Sequence, residues 1–343
     1  MVRGPAWLEC VPMRVPRLLF VTGKGGVGKT TVAAALGQHA AEHGHRTLIV
    51  ETATDGRLAH LFGQHALGAA PRRLRPGLDA VRADARELVE EYFSRLLRFQ
   101  VLSKRLLAST TFNALTAAAP GITEFLLLER LLGWMDPGLG RRPGYALIIV
   151  DGPSTGHALK LLRTPRSLAA MVPGGPLGKT ARRLLALLGD HRQTQVLLVS
   201  LPEEMSARET IEAQQVLESD LALRVARPVM NRVFPRHFST AEAQVIEQNG
   251  DAKGTPVPPL LAAARFAIAY RREAERHVGH LRRALGVSPI VLRELFTPSV
   301  HAAEIEAFGR TLWRAVLGGE TASGTSAIHP STSSGQAKHD SRE

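Results

Sequence analysis

The stretch FVTGKGGVGKTT, at positions 20–31, constrains the fold more than any other part of the chain. It follows a short apolar run, and two nucleotide-binding patterns overlap in it. Positions 23–28 fit G-x-G-x-x-G, the dinucleotide fingerprint, and positions 23–30 fit G-x-x-x-x-G-K-[ST], the phosphate-binding P-loop. Glu51 lies about where the ribose-binding acid of a dinucleotide fold would stand. Both patterns predict a strand, a glycine-rich loop and a helix in succession.

The lysine and threonine that end the motif favour the P-loop. A dinucleotide fold has no use for Lys29 and Thr30, whereas a P-loop uses the lysine on the β- and γ-phosphates and the hydroxyl on magnesium. Its backbone N–H groups wrap the phosphates at a helix N-terminus, where the helix dipole favours anions. The residues expected to bind ATP are therefore Gly23, Lys24, Gly25, Gly26, Val27, Gly28, Lys29, Thr30 and Thr31.

A second motif, LIIVDGPSTGHALKLLRTP at 147–165, supports the same interpretation. It places Asp151 at the carboxyl end of a buried strand, where an acid can reach the magnesium shell beside a P-loop. An aspartate that merely capped a turn would not explain the GPSTGH that follows. We therefore predict ATP and Mg²⁺ as cofactors, with Thr30 and Asp151 as the metal-binding residues.

Short apolar runs alternate with helical stretches, which predicts an α/β fold with a doubly wound, mostly parallel sheet covered by helices on both faces. The predicted strands are 17–22, 47–51, 146–150, 195–200, 225–230 and 290–292, and the predicted helices include 30–43, 259–285 and 301–317. We expect a three-layer P-loop NTPase domain over 17–318, interrupted by a helical insertion subdomain at about 83–138. A flexible leader at 1–16 and a disordered tail at 319–343 complete the expected organisation.

Composition limits the partners. The chain has 43 basic and 31 acidic residues and a formal charge of +12, but aromatic residues make up only 5%. No basic block with interleaved aromatics is present, so no nucleic-acid partner is expected. No apolar run reaches the roughly 18 residues that a spanning helix needs, and the N-terminus lacks the continuous apolar segment of a signal peptide. We therefore expect a cytoplasmic protein without a transmembrane segment.

The segment GKGGVGKTT resembles the lysine-bearing P-loop of the deviant Walker A ATPases, among them MinD, ParA and the nitrogenase iron protein. The segment DGPSTGHALKLL is similar to the switch II motif of one branch, which holds the arsenite-pump ATPase ArsA and the tail-anchored-protein targeting ATPase. Positions 201–217 and VMNRV at 229–233 are also similar to that branch.

The resemblance implies an ATPase that works as a homodimer around ATP. Lys24 would cross the interface and touch the phosphates of the partner subunit, and Asn231 would contact the adenine. His157 would act in the conformational response of switch II. The catalytic residues implied are Lys24, Lys29, Asp151 and, by substitution in switch I, Asp55.

The switch I region, TLIVETATDGRLAHLFG at 47–63, departs from the family pattern. A gap-free alignment puts Ala53 where relatives carry the aspartate that orients the attacking water. Glu51 and Asp55 lie two residues to either side, so one of them substitutes or hydrolysis is very slow. The only cysteine, Cys10, excludes the paired-cysteine zinc clamp of the targeting branch.

Three functions remain open at this point. The first is an ArsA-like homodimeric switch in which ATP-driven closure moves the helical insertion; its apolar stretches 106–118 and 122–135 either line a groove for a hydrophobic client helix or membrane-protein partner, or form domain core. The second is a regulatory module that senses ATP with little turnover. The third is a MinD/ParA-like positioning ATPase, against which the polar tail and switch II argue.

Overall fold

The computed structural model describes residues 15–53, 56–96, 121–136, 144–172, 174–248, 259–297 and 300–316. In these residues eight strands form one sheet in the order β3-β4-β2-β5-β1-β6-β7-β8. The strands are β1 Leu18–Thr22, β2 Thr47–Glu51, β3 Arg72–Arg75, β4 Leu78–Arg82, β5 Leu147–Asp151, β6 Thr194–Ser200, β7 Val229–Val233 and β8 Ile290–Arg293. Only β3 pairs in the antiparallel sense, with β4. The sheet is therefore mostly parallel, as predicted.

The helices are α1 Lys29–Glu42, α2 Arg57–Leu61, α3 Ala85–Leu96, α4 Ile122–Met135, α5 Thr155–Met171, α6 Gly175–Gly189, α7 Glu204–Gln215, α8 Thr240–Gln248, α9 Pro259–Leu285 and α10 Ala302–Val316. A single π-helical turn over 216–220 follows α7. The chain leaves β1 towards one edge of the sheet, returns through β5 and continues to the other edge from β6. Because β5 and β6 flank β1, the point where the winding reverses lies at the carboxyl end of β1, where open α/β sheets bind their ligands.

Alternation along the strands produces two apolar cores, one on each face of the sheet. In β1, Leu18 and Phe20 belong to a core that α3 to α7 close, whereas Leu19 and Val21 belong to a core that α1, α2 and α10 close. The same alternation holds in β2, β5 and β6. Strands buried on both faces read as continuous apolar runs, which is why their sequences are so uniform. The three-layer α/β class is confirmed.

Two predicted features of the sheet differ from the structure. Neither β3 nor β4 is among the predicted strands. Strand β3 is an arginine-rich edge strand with three of its four residues exposed, so it carries no apolar run. The strand predicted at 225–230 instead begins at Val229. Pro228 has no N–H for the ladder and offers only its carbonyl, which accepts from Ile290.

The described part of the helical insertion packs on the domain rather than away from it. In α4, Phe125, Leu128 and Leu131 are at most 1% exposed and lie in the core that α5 and α6 share. Two interpretations of the stretch 122–135 were open, a groove for a client helix and domain core, and this packing supports domain core. The other stretch, 106–118, lies outside the described residues, as do 1–14 and 317–343. No helix in the described part of the chain is long and apolar enough to cross a membrane.

Close packing of α1 against α10 depends on a glycine. A Cβ added to Gly309 would lie 2.7 Å from the carbonyl oxygen of Ala35 and 3.0 Å from the Cβ of His39. Backbone cannot give way at that distance without separating the two helices. By contrast, a Cβ added to Gly133 in α4 would meet nothing within 4 Å.

We therefore predict opposite effects for two glycine-to-alanine substitutions within helices. Gly309→Ala should destabilise the protein by about 1–3 kcal/mol because the added methyl overpacks the α1–α10 contact. Gly133→Ala should stabilise it by up to about 1 kcal/mol, because alanine is the better helix former. Urea unfolding followed by circular dichroism measures both, and a stabilising Gly309→Ala would contradict the packing described.

Candidate functional site: the P-loop and the strand ends around it

The glycine-rich loop leaves β1 in a conformation that side chains would block. Gly23, Gly26 and Gly28 have φ of 152°, 80° and 92°. A Cβ on Gly23 would lie 2.1 Å from the carbonyl oxygen of Val199 in β6, so only glycine lets the loop pass that strand. Gly28 is the left-handed N-cap residue of α1. The loop therefore presents backbone rather than side chains at the start of a helix, which suits an anion.

Lys29, the first residue of α1, folds its side chain back over the loop. Its ammonium nitrogen lies 3.1 Å from the carbonyl oxygen of Lys24 and 3.3 Å from that of Gly23. The side chain of Lys24 is partly exposed on the same loop. The two lysines therefore contribute differently to the loop. The ammonium group of Lys29 lies over it, whereas Lys24 contributes its backbone carbonyl.

Asp151 ends β5 directly beside β1. In the parallel ladder it is paired in register with Val21 on one side and Glu51 on the other. Its side chain is buried, at 2% exposure. A buried carboxylate at the carboxyl end of the strand next to a P-loop is the position from which an acid serves a magnesium ion. The structure brings Asp151 and the P-loop to one end of the sheet, as the sequence predicted.

Hydrogen bonds hold the three strand ends together. Thr22 donates from its hydroxyl to the carbonyl of Pro153 at 2.8 Å. Thr52 donates its hydroxyl to the carbonyl of Asp151 at 2.8 Å, and its N–H bonds to the same oxygen at 3.2 Å. Gly152 approaches so closely that an added Cβ would lie 2.8 Å from the Val21 carbonyl oxygen. Thr22, Thr52 and Gly152 are not among the predicted site residues. The signal that the sequence offers for them is a threonine or glycine at or next to the end of each strand.

Switch I contains a buried carboxylate that faces α2. Glu51 is fully buried, and its Oε1 accepts a hydrogen bond of 3.0 Å from the N–H of Leu58. It therefore anchors the start of α2, which weakens it as a substitute for the water-orienting acid. Ala53 is exposed. Asp55 lies outside the described residues, so its catalytic role stays a prediction.

The segment expected to act as switch II leads from the end of β5 into α5. Ser154 and His157 are joined by a hydrogen bond of 3.1 Å between Oγ and Nδ1 at the start of α5. One turn later, Lys160 forms an ion pair of 2.6 Å with Glu124 in the first turn of α4. This ion pair links α5, which begins at the site, directly to α4.

Asn231, the middle residue of β7, also contacts the loop. Its side chain is 6% exposed, and its amide nitrogen donates to the carbonyl of Val27 at 2.8 Å. The expected contact with adenine is untested by this geometry and stays a prediction. The structure does bring Asn231 to the P-loop, although it is some 200 residues away in the chain.

The residues present fit Mg-ATP. Glycines fill the positions where a Cβ would obstruct the loop, and a lysine ammonium lies over it. Hydroxyl and carboxylate oxygens, the ligands that magnesium prefers, come from Thr30 and Asp151. Thr31 follows Thr30 in the first turn of α1.

Comparison with known proteins agrees with this geometry. Residues 16–174 match the family model described as anion-transporting ATPase. The match spans the P-loop, switch I, the insertion and switch II. Over this part of its length the chain is similar to the ArsA-like ATPases. The description of that family as ATPases agrees with a nucleotide site at the end of β1.

Similar proteins include the ATPase BagA of Mycobacterium tuberculosis, which is 28% identical over 74% of this chain and 76% of its own length. A putative arsenical pump-driving ATPase of Halobacterium salinarum is 28% identical over 67% of this chain and 37% of its own length. The arsenical pump-driving ATPase of Escherichia coli is 26% identical over 65% of this chain and 40% of its own length. The two pump-driving relatives therefore extend well beyond the aligned part.

Replacing Lys29 tests the phosphate site. We expect Lys29→Ala to weaken Mg-ATP binding by roughly 10- to 100-fold, because it removes a charged hydrogen-bond donor from the loop. Isothermal titration calorimetry measures this loss. Lys24→Ala removes the same charge from the same loop and serves as the matched control, with nucleotide binding retained. Equal affinities of Lys29→Ala and the parent protein would contradict the assignment of the P-loop.

Proposed function

We propose that this ArsA-like protein is an ATP-hydrolysing homodimeric switch in which ATP-driven closure moves the helical insertion. The observation that carries the proposal is the arrangement at the end of β1 and β5. A lysine ammonium lies over a glycine-rich loop at a helix N-terminus, and a buried aspartate ends the neighbouring strand. Both parts are what phosphoryl transfer requires, because its catalysis is mainly positioning and charge neutralisation.

In the proposed mechanism each residue has a defined task. The loop N–H groups and Lys29 bind and orient the phosphates of ATP. Thr30 and Asp151 hold magnesium, which supplies neutralisation of phosphate charge when it is bound. Thr22 and Thr52 fix the backbone around Asp151, so that switch I and switch II respond together to the occupant of the loop.

Coupling to the insertion is supported by switch II. Pro153, whose carbonyl accepts from Thr22, is two residues before the start of α5. Further along α5, the Lys160–Glu124 ion pair joins that helix to α4. A shift of switch II towards a bound γ-phosphate would therefore move α4 through α5. What the insertion then binds, whether a client helix or another partner, depends on residues that include 106–118.

The homodimer rests on Lys24. Its carbonyl accepts the hydrogen bond of Lys29 within one protomer, whereas its side chain is partly exposed at the mouth of the loop. A partly exposed cation beside the phosphate loop is available to a facing subunit, as the family resemblance implies. We therefore propose that two protomers close face to face around two ATP molecules.

Lys24→Ala should still bind Mg-ATP but lose ATP-dependent dimerisation, since the bridging charge is gone while the phosphate cradle is intact. Light scattering in the presence of Mg-ATP and of Mg-ADP measures the change in mass. Lys24→Arg, which keeps the positive charge, is the control. A Lys24→Ala protein that dimerises like the parent would refute the proposed contact.

A second function, an ATP sensor with little turnover, is favoured by one observation. Ala53 stands exposed beyond the end of β2, where the resemblance expects a water-orienting aspartate, and Glu51 faces α2. A site that binds ATP without orienting water would still close around ATP. It would reopen slowly, because hydrolysis is slow. The two functions share the fold and the binding residues and differ only in turnover.

Supplying the missing carboxylate distinguishes the ATPase from the ATP sensor. We expect Ala53→Asp to raise ATP turnover by roughly 10²-fold or more, the usual contribution of a positioned general base. The affinity for ATP should change little, because this group acts on water. Phosphate release in single-turnover reactions provides the measurement, and Ala53→Asn is the matched neutral control that should leave turnover near that of the parent.

The opposite result identifies the other source of the carboxylate. If Ala53→Asp leaves turnover unchanged and Asp55→Asn abolishes it, Asp55 already orients the water and the degenerate-switch hypothesis is wrong. Measurable steady-state phosphate release by the parent protein, absent from Lys29→Ala, supports the ATPase.

A further inference from the structure

Asn231 is held by two hydrogen bonds that leave no freedom in the orientation of its side chain. The amide nitrogen donates to the carbonyl of Val27 at 2.8 Å, and Oδ1 accepts from the N–H of Arg232 at 2.9 Å. A carbonyl can only accept and a backbone N–H can only donate. Exchanging the nitrogen and the oxygen of the amide would place like groups together at both ends, so the assignment is unambiguous.

The backbone of β7 is distorted to aim this side chain. Arg232 has a φ of 57°, the left-handed region that non-glycine residues rarely adopt. The register between β7 and β8 shifts between Met230 and Val233, as in a β-bulge. Bulges re-aim side chains next to functional sites. The guanidinium Nε of Arg232 also contacts Glu294 Oε2 at 2.6 Å, which ties the bulge to the residue after β8.

The P-loop is shaped to receive the amide. A Cβ added to Gly28 would lie 2.3 Å from the amide nitrogen of Asn231, so the side chain packs directly on the N-cap residue of α1. Val27, whose carbonyl it holds, is fully buried. The contact therefore fixes the peptide between Val27 and Gly28, immediately before the first N–H groups of α1 and before Lys29.

We propose that Asn231 is a positioning residue for the phosphate site, which braces the P-loop through the Val27 carbonyl independently of any contact with the base. This inference rests on the proposed function, since it assumes that the loop binds phosphates. The brace keeps the Val27–Gly28 peptide oriented so that the N–H groups following it face the phosphates. The brace therefore affects the binding of phosphate ligands that carry no nucleoside.

The test uses a ligand without a base. Calorimetry with Mg-tripolyphosphate and with Mg-ATP compares the parent protein with Asn231→Ala and Asn231→Leu. The leucine keeps most of the volume and cannot donate, so it remains informative if the alanine variant is poorly folded. Val233→Ala, a truncation of a buried residue in the same strand, is the control. Circular dichroism fixes a temperature at which every variant is folded.

We expect both Asn231 variants to bind tripolyphosphate about five- to tenfold more weakly, the effect of losing one buried hydrogen bond. ATP should weaken at least as much, and Val233→Ala should bind both ligands like the parent. Unchanged tripolyphosphate affinity with weakened ATP affinity would overturn the brace and leave only a contact with the base. A parent protein that binds neither ligand would instead refute the proposed function, and the inference with it.

Discussion

The parallel pairing of β1 with β5 is the interaction on which the rest of the site depends. Through it, Val21 and Asp151 stand side by side at the carboxyl edge of the sheet, although 130 positions separate them in the sequence. Every residue of both strands is buried, so a slip of register would move apolar side chains to the wrong face. The burial that stabilises the domain therefore also fixes the distance between the phosphate loop and the carboxylate.

Hydrogen bonds connect the strand ends around the site to one another. The carbonyl of Asp151 accepts from Thr52 of switch I, and the carbonyl of Pro153 accepts from Thr22 at the start of the P-loop. From there α5 carries the connection to α4 through Lys160 and Glu124. The ion pair is partly exposed and contributes little stability by itself. It joins two helices that are also packed in the same core, so α4 and α5 are connected both at their surface and by buried contacts.

The sequence predicted the parts of this structure that have a local signal. Continuous apolar runs gave β1, β2, β5 and β6 almost to the residue, and the G-K-T motif located the loop and α1. The edge strand β3 escaped because an exposed, arginine-rich strand has no periodic apolar pattern. The contact between Asn231 and Val27 was equally hidden, because it depends on a left-handed Arg232 and a register shift that no local pattern predicts. Contacts between residues that are far apart in the sequence depend on the tertiary fold, so no local sequence pattern reveals them.

In the proposed function, binding and turnover depend on different residues, which allows the site to bind ATP with Ala53 in place of the water-orienting aspartate. Ligand at 100 times its dissociation constant stabilises the bound state by about 2.7 kcal/mol, whatever the rate of hydrolysis. A water-orienting group that contributes 10²-fold in rate lowers the barrier by a similar amount, about 2.7 kcal/mol, but acts only on the lifetime of that state. Glu51 at the strand end accepts the N–H of Leu58 and so anchors α2. In the proposed cycle, losing the carboxylate at position 53 therefore prolongs the closed state without weakening it.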